Sequence, residues 1–262
     1  MKRWRYVLLV LCTAVISISG TYLMNYFMKS EENKQKYEDI SEIGFPETEA
    51  DHEEENDQQD VKQSEDDFDY QPLIAMNSDC VGWIQIPGTD INYPVVQAAD
   101  NEFYLTHNFN RETAACGAIF MDYRNDVDAK AEHLILYGHQ MKDNSMFKQL
   151  NGYKEEIFYK EHPNIKLYLH EQKYEYEITA VYVTDVANGG GYYNYLHWNT
   201  RKEQLNYLQQ KMAGYQIYDT GKKVMETDEL LSLSTCEYSC DNGRLIVQAR
   251  RKGTQINGKQ II

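Results

Sequence analysis

The strongest constraint on the fold is a series of short strand-like runs between residues 81 and 250. In each run apolar residues alternate with polar ones or form a brief apolar stretch, and residues that favour turns separate the runs. Eight such runs are Val81–Pro87, Ile91–Val96, Gly117–Asp122, His133–Tyr137, Ile165–Leu169, Tyr174–Thr184, Leu231–Thr235 and Leu245–Val247. Many short strands with few helices predict an all-β domain, either a barrel or a sandwich, with helical insertions.

Helical patterns are few. Asn144–Tyr153 has the pattern of a short helix. Thr200–Glu203 is a capping box, and Leu205, Leu208 and Met212 continue it as one apolar face. The sequence therefore predicts a helix shortly before the last two strands.

The N-terminal residues 1–29 combine a basic tip with an uncharged stretch from Tyr6 to Met28. This length suits one bilayer span of roughly 20 residues. The basic flank predicts a cytoplasmic N-terminus and an exported domain, so we expect a single-pass signal anchor in the cell membrane. The alternative is a cleaved signal peptide, for which Ser17, Ser19 and Gly20 offer a cleavage site.

Charge divides the rest of the chain. The whole chain carries −15, and residues 30–70 hold most of it, with 17 acidic residues against three lysines from residue 31 onward. Such a segment is predicted to be a disordered tether, because it cannot bury enough apolar area to offset its ordering entropy. Residues 71–262 are only mildly acidic and are predicted to form one exported catalytic domain. They show no basic stripe, which argues against a nucleic-acid partner.

A hairpin near the C-terminus contains the most reactive pattern. The turn signal Asp241–Gly243 joins the strands on either side, and this should bring Cys236 close to Arg244. A thiol beside a permanent cation favours thiolate and can stabilise an oxyanion. The alternatives are a buried structural cysteine or a local disulfide between Cys236 and Cys240.

A catalytic thiol also needs a proton carrier, for which histidine is the usual residue near neutral pH. His139 directly follows a buried strand and Tyr137–Gly138, so it should lie at the rim of the domain. Strand ends and the loops after them are favoured places for reactive groups. His139 is therefore the candidate.

Several motifs in this order resemble those of the sortase family. Ser232–Cys236, followed by Arg244, resembles the sortase signature T-L-x-T-C with its downstream Arg, and Leu136–His139 resembles the segment around the sortase histidine. The resemblance extends from about Val81 to Arg250, with Ser232 in place of the usual first Thr and Cys240 as an extra thiol. Five further features resemble class B sortases in particular: Gly82–Ile84, Tyr93–Gln97, Asp100–Asn101, Gly117–Asp122 and the helix before Leu230.

The resemblance implies a closed eight-stranded β-barrel with N-terminal helices and a helix before the Cys-bearing strand. It also implies cysteine transpeptidation at the surface of a Gram-positive cell, without a metal or cofactor. Cys236 would attack a threonine carbonyl in the C-terminal sorting motif of a secreted protein. His139 would protonate the departing amine, and Arg244 would stabilise the oxyanion or position the peptide. Ser234 and Thr235 would form part of the peptide-binding floor.

An amine of peptidoglycan, or of its lipid-linked precursor, would then resolve the thioester. Two other functions fit the same residues. A surface cysteine peptidase would pass the thioester to water, and a non-catalytic anchored binding module would use Cys236 and Arg244 only structurally. Product formation with an added amine separates the first alternative from transfer, and selective thiol labelling of Cys236 over Cys80 tests the second.

Overall fold

The computed structural model describes residues 2–46, 68–127, 132–185, 200–237, 242–253, 255–256 and 259–260. The chain divides into two compact units, residues 1–39 and 40–262. Cys240 and residues 187–199 lie outside the described residues.

Helix α1 (Lys2–Gly44) supplies the described part of the first unit. Its stretch from Tyr6 onward is long and apolar enough to cross a membrane. Among the residues that the structure describes, it is the one helix with that length and composition. A signal sequence near the N-terminus would meet the same criteria.

Residues 30–44 continue α1, although we predicted that a disordered tether begins at residue 30. The reason is local pairing. Lys36 forms an ion pair with Glu32 at 2.9 Å, and the Gln35 amide donates to Asp39 at 2.9 Å. Both pairs are spaced four residues apart, the spacing that stabilises a helix. The acidic composition of this stretch is thus compatible with a helix.

The two described ends of the acidic segment also lie together. The backbone N–H of Asp69 donates to the carbonyl of Gly44 at 2.9 Å. The rings of Phe45 and Phe68 are 5.3 Å apart, and both lie near the ring of Trp83. All three residues belong to the second unit. Packing between aromatic rings therefore fixes residues that the charge pattern alone assigned to a tether.

The second unit is built on a closed barrel in the order β1-β2-β3-β4-β7-β8-β6-β5. Each of the eight predicted runs forms one of these strands, and the barrel, rather than the sandwich, is confirmed. The strands are β1 (Cys80–Gln85), β2 (Asn92–Val96), β3 (Ile119–Met121), β4 (His133–Tyr137), β5 (Asn164–Leu169), β6 (Gln172–Asp185), β7 (Leu230–Glu237) and β8 (Gly243–Arg251). Two short strands, β9 (Gln255–Ile256) and β10 (Lys259–Gln260), pair separately.

Short helices cover parts of the barrel. They are α2 (Tyr70–Met76), α3 (Glu156–Glu161), α4 (Arg201–Asn206) and 3₁₀ turns at Phe103–Leu105 and Phe147–Lys154. The second turn starts later than the predicted helix Asn144–Tyr153. Asn144 and Met146 have positive φ angles of 68° and 57°, which an α-helix cannot contain.

The capping box before α4 forms its N-terminal contact, since the Thr200 hydroxyl accepts from the backbone N–H of Glu203 at 3.2 Å. A π turn (Tyr207–Lys211) and a 3₁₀ turn (Met212–Tyr215) follow α4, and we name residues 201–215 together the α4 segment. Its Leu208 and Met212 are buried in one cluster with side chains of β4, β6, β7 and β8: Ile135, Ala180, Tyr182, Leu230 and Ile246. The α4 segment therefore covers the outer face of these strands.

The pairing of β4 with β7 is parallel, from His133 beside Leu230 to Tyr137 beside Ser234. The carboxyl ends of both strands consequently meet at one rim of the barrel. On its other side β7 pairs antiparallel with β8, as the hairpin signal predicted.

On the edge of β4 that faces away from β7, a side-chain amide supplies hydrogen bonds that a neighbouring strand would otherwise give. Strand β3 pairs with β4 only at Phe120 and Met121. Beyond them, Asn125 donates from Nδ2 to the carbonyl of His133 at 2.8 Å and accepts from the N–H of Ile135 at 2.9 Å. The buried backbone of β4 is thereby satisfied where its partner strand has ended.

Gly82→Ala should destabilise the barrel, because a Cβ at this position of β1 would lie 1.9 Å from the carbonyl oxygen of Tyr168 on β5. We expect the free energy of unfolding in urea to fall by about 2 kcal/mol or more. Gly214→Ala is the matched control, since nothing lies within 4 Å of its Cβ position. Equal unfolding midpoints for the two variants would contradict the close approach of β1 and β5.

Candidate active site

Cys236 and Arg244 face each other across the hairpin. They are direct partners in the β7–β8 register, so their side chains share one face of the sheet. Cys236 is a partly exposed free thiol. The Arg244 guanidinium donates from Nη1 to the carbonyl of Gly243 at 2.9 Å, the one hydrogen bond that it makes within the described residues. Four of its five N–H donors thus have no partner among the residues that the structure describes.

The other cysteines of the second unit that the structure describes are unsuited to nucleophilic attack. Burial raises the pKa of Cys80 to about 12 and that of Cys116 to about 11. Both therefore stay protonated near neutral pH, and only a thiolate is an effective nucleophile. Cys236 differs from them by its partial exposure and its cation.

His139 lies at the same rim, two residues beyond β4. The N–H of Gly138 donates to the carbonyl of Ser234 at 3.2 Å, so the β4–β7 register continues past the end of β4. Continuing it by one more residue sets His139 level with Cys236. The parallel pairing thus brings the predicted proton carrier and the predicted nucleophile to adjacent strand ends.

Two contacts fix the orientation of His139. Its Nε2 lies 2.7 Å from the carbonyl oxygen of Leu105, and its own carbonyl accepts from the N–H of Phe147 at 2.9 Å. A carbonyl only accepts, so Nε2 must carry a hydrogen. Nδ1 is then the nitrogen that can take up or release a proton. Gly117 leaves room for the ring, since a Cβ there would lie 3.1 Å from Cδ2 of His139.

His133, at the start of the same strand, has a different environment. It is buried, and its Nε2 is hydrogen-bonded to the Ser232 hydroxyl at 2.8 Å. Burial, with a smaller effect of nearby Arg201, lowers the pKa of His133 to about 4. It is therefore neutral near pH 7 and inaccessible to a substrate.

Ser234 and Thr235, the two predicted floor residues, are both buried. Ser234 lies on the face of β7 that carries Cys236, whereas Thr235 lies on the opposite face, toward the barrel interior. The Thr235 hydroxyl has no hydrogen-bond partner among the described residues. Their contact with a peptide stays a prediction, and Thr235 could act only from beneath the surface.

The sequence did not reveal the network around Asp122, directly after β3. Asp122 is buried and accepts hydrogen bonds from the Arg124 guanidinium at 2.8 Å on each oxygen, from the Tyr137 hydroxyl at 2.8 Å and from Asn101 at 3.0 Å. Burial by itself acts to raise the pKa of Asp122, but these hydrogen bonds reverse the effect and lower it. The hydrogen bond from Tyr137 thus links the last residue of β4 to Asp122 at the end of β3. Tyr137 lies two residues before His139.

Sequence reasoning also missed two polar contacts at the rim, namely the Leu105 carbonyl on His139 and the Gln140 side chain. Gln140 donates from Nε2 to the carbonyl of Cys236 at 2.8 Å. Neither contact follows a local sequence pattern, because the residues that it joins are distant along the chain. Within the described ranges, no group of three or more His, Cys, Asp or Glu side chains could bind a metal ion.

Comparison with known proteins agrees with this geometry. The family model of the sortase domain matches residues 84–252. The chain is 38% identical to sortase B of Listeria monocytogenes over 180 residues, which are 68% of this chain and 72% of that protein. It is 30% identical to sortase B of Staphylococcus aureus over 261 residues, 95% of this chain and 97% of that protein.

The chain belongs to the sortase family. The solved structure of Bacillus anthracis sortase B in complex with AAEK1 matches it with a TM-score of 0.71 at 34% identity, covering 86% of this chain and 98% of that chain. The relatives and the structure together confirm class B. Sortases are cysteine transpeptidases, and this sets aside the alternative of a non-catalytic binding module.

Asp122→Asn should make the sortase less stable near neutral pH, by about 2 kcal/mol in the free energy of unfolding, because Arg124 and Tyr137 lose a charged acceptor. The folded pKa of Asp122 lies below the unfolded value of about 3.9, so its stabilisation is complete above that pH. The stabilisation is lost as the pH falls through the folded pKa.

Urea unfolding of wild type and variant at pH 7 and at steps below pH 4 measures this loss. The difference in the free energy of unfolding between the two proteins should become smaller at the lowest pH values. Asp219→Asn, which changes an exposed carboxylate, is the control and should stay near wild type at every pH. If Asp122→Asn lowered the free energy of unfolding equally at pH 7 and at the lowest pH, the charge of Asp122 would not be what stabilises the protein.

Proposed function

We propose that Cys236 is the nucleophile, His139 the proton carrier and Arg244 the oxyanion donor of a sorting transpeptidase. One observation carries the proposal: Cys236 faces Arg244 in register, and the parallel β4–β7 pairing sets His139 level with Cys236. Three neighbouring strands thus place a thiol, an imidazole and a guanidinium at one rim. Nucleophilic acyl transfer needs these three groups.

In the first half of the reaction, the Cys236 thiolate attacks the carbonyl carbon of a threonine in the sorting motif. The carbonyl oxygen becomes an oxyanion, which the guanidinium N–H groups of Arg244 stabilise. Nδ1 of protonated His139 gives its proton to the departing nitrogen, and the C–N bond breaks. The new S–C bond leaves a thioester on Cys236. The assignment to Nδ1 follows from the Leu105 carbonyl, which occupies Nε2–H.

In the second half, an amine of peptidoglycan or of its lipid-linked precursor attacks the thioester carbon. Neutral His139 takes the proton from the attacking nitrogen, and Cys236 leaves as thiolate. An amide bond replaces the thioester, and the imidazolium is restored for the next cycle. The fixed orientation of the ring lets one nitrogen serve both proton transfers.

The proposed setting is the outer surface of a Gram-positive cell. Helix α1 would span the membrane with the basic tip in the cytoplasm, and residues 71–262 would form the extracellular catalytic domain. The length and composition of α1 and its basic flank support this arrangement. Secreted proteins with a C-terminal sorting motif are the proposed substrates.

The remaining rival is a surface cysteine peptidase, in which water takes the place of the amine. Both reactions share the thioester, so the decisive experiment supplies an amine. Full-length protein in detergent micelles is incubated with a panel of sorting-motif peptides and an amine acceptor. Ligated product supports transfer, whereas hydrolysed peptide alone favours the peptidase.

Cys236→Ala should abolish both the acyl adduct and the ligated product, because no other described thiol pairs partial exposure with a cation. Mass spectrometry of the intact protein after incubation with the peptides detects the adduct. Cys12→Ala, which removes an exposed thiol from α1, is the control and should keep the adduct. Ligated product from Cys236→Ala at the wild-type rate would refute the proposed function.

Arg244→Lys should slow acylation by about 10²-fold, although the charge is retained. A lysine has one compact ammonium, and it cannot offer the planar set of donors that a guanidinium presents. The rate of thioester formation is measured at saturating peptide in samples quenched at successive times. Arg250→Lys, on the same face of β8 and paired with Glu177 at 2.6 Å, is the matched control and should retain activity. An Arg244→Lys rate within twofold of wild type would exclude the oxyanion role.

A further inference from the structure

We propose that Gln140 is a positioning residue whose side chain extends the β4–β7 ladder by one rung and fixes the nucleophile Cys236 relative to His139. This inference rests on the proposed function, in which both residues act on one substrate bond. It concerns the residue next to His139, which no sequence motif singled out.

The hydrogen-bond ladder itself identifies the missing rung. In a parallel pair one strand donates to its neighbour at every second residue. The N–H of Gly138 donates to the carbonyl of Ser234, so the next rung would join the backbone N–H of residue 140 to the carbonyl of Cys236. In the structure that carbonyl instead accepts from Nε2 of Gln140 at 2.8 Å. The side chain supplies the donor that the backbone would have given.

The backbone of Gln140 cannot serve because it turns away from β7. Gln140 pairs with Met146 in an isolated antiparallel bridge, and the N–H of Phe147 donates to the carbonyl of His139 at 2.9 Å. Positive φ angles at Asn144 and Met146 close this loop. The same turn that fixes His139 thus removes the backbone donor from β7.

Lys148 fixes which way the Gln140 amide points. Its ammonium donates from Nζ to Oε1 of Gln140 at 3.1 Å. The opposite orientation would set the amide NH₂ against the ammonium and the amide oxygen against the Cys236 carbonyl. Both contacts would then be repulsive, so the charge of Lys148 directs Nε2 toward β7.

The consequence is geometric. His139 and Gln140 are consecutive residues, so a hydrogen bond from Gln140 to the peptide group of Cys236 links the two reacting side chains through a short path. Loss of this bond would let the end of β7 move relative to His139. Displacements of about 1 Å between reacting groups can cost up to about 10²-fold in rate. Neither the thiol nor the peptide-binding surface would be removed.

Gln140→Leu tests this in full-length protein in detergent micelles. We expect kcat for peptide acylation to fall about 10-fold, with KM within about twofold of wild type. Alkylation of Cys236 by iodoacetamide needs the thiol but no proton transfer to a leaving amine. Its rate should therefore stay within about twofold of wild type. A merely structural defect would instead lower both rates together, or neither. Gln140→Asn keeps the amide but is too short to reach, and should behave like Gln140→Leu.

Lys148→Met provides an independent test, because Lys148 acts on Cys236 only through Gln140. The single variant should reduce kcat less than Gln140→Leu does. The double variant Gln140→Leu, Lys148→Met should be no slower than Gln140→Leu alone. Additive losses would show that Lys148 affects the reaction by another route and would overturn the proposed orientation of the amide.

Gln71, on α2, donates from its side-chain amide to Glu171 at 2.9 Å in an exposed hydrogen bond, so Gln71→Leu is the matched control. It should keep wild-type kcat. If wild type forms no acyl adduct, the proposed function and this inference fail together. If wild type is acylated and Gln140→Leu matches it in kcat, only the positioning role is overturned. A parallel drop in kcat and alkylation would also overturn it.

Discussion

The site depends on the parallel pairing of β4 with β7. These strands are far apart in the sequence, and antiparallel pairing would have placed His139 and Cys236 at opposite ends of the sheet. Parallel pairing brings both carboxyl ends to one rim, where the β7–β8 hairpin adds Arg244. A slip of one residue in this register would turn the side chains of a whole strand to the other face. The register is therefore a requirement of the proposed chemistry as well as of the core.

Side-chain amides hold the backbone of β4 at both of its ends, on the β3 side at its start and on the β7 side beyond its end. At its start, Asn125 accepts from Ile135 and donates to the carbonyl of His133, where β3 has already ended. Beyond its end, Gln140 donates to Cys236. An amide carries a donor and an acceptor as the peptide group does, so it can stand in for a strand residue at low cost. The strand before His139 is thus fixed by side chains where backbone partners are missing.

The strands and the hairpin could be predicted from the sequence alone, because alternation and turn residues are local signals. It also singled out His139, since a histidine directly after a buried run lies at a rim. The parallel pairing was not local and became visible only in the barrel. Asn125 and Gln140 were missed for the same reason, as an amide in a loop has no pattern that names its distant acceptor. In residues 30–44, acidic composition favoured disorder, but pairs such as Glu32 with Lys36 allow a helix.

The position of the site follows from where the described side chains on one face of the barrel change from buried to partly exposed. Along β7, Ser232 and Ser234 are buried while Cys236, on the same face, is partly exposed. Along β8, Gln248 and Ile246 are buried while Arg244 is partly exposed, and His133 and His139 show the same contrast along β4. On all three strands, the side chains of this face change from buried to partly exposed at the same rim. Burial keeps His133 neutral and away from solvent. Exposure at the rim is what the proposed roles of the thiol, the imidazole and the guanidinium require.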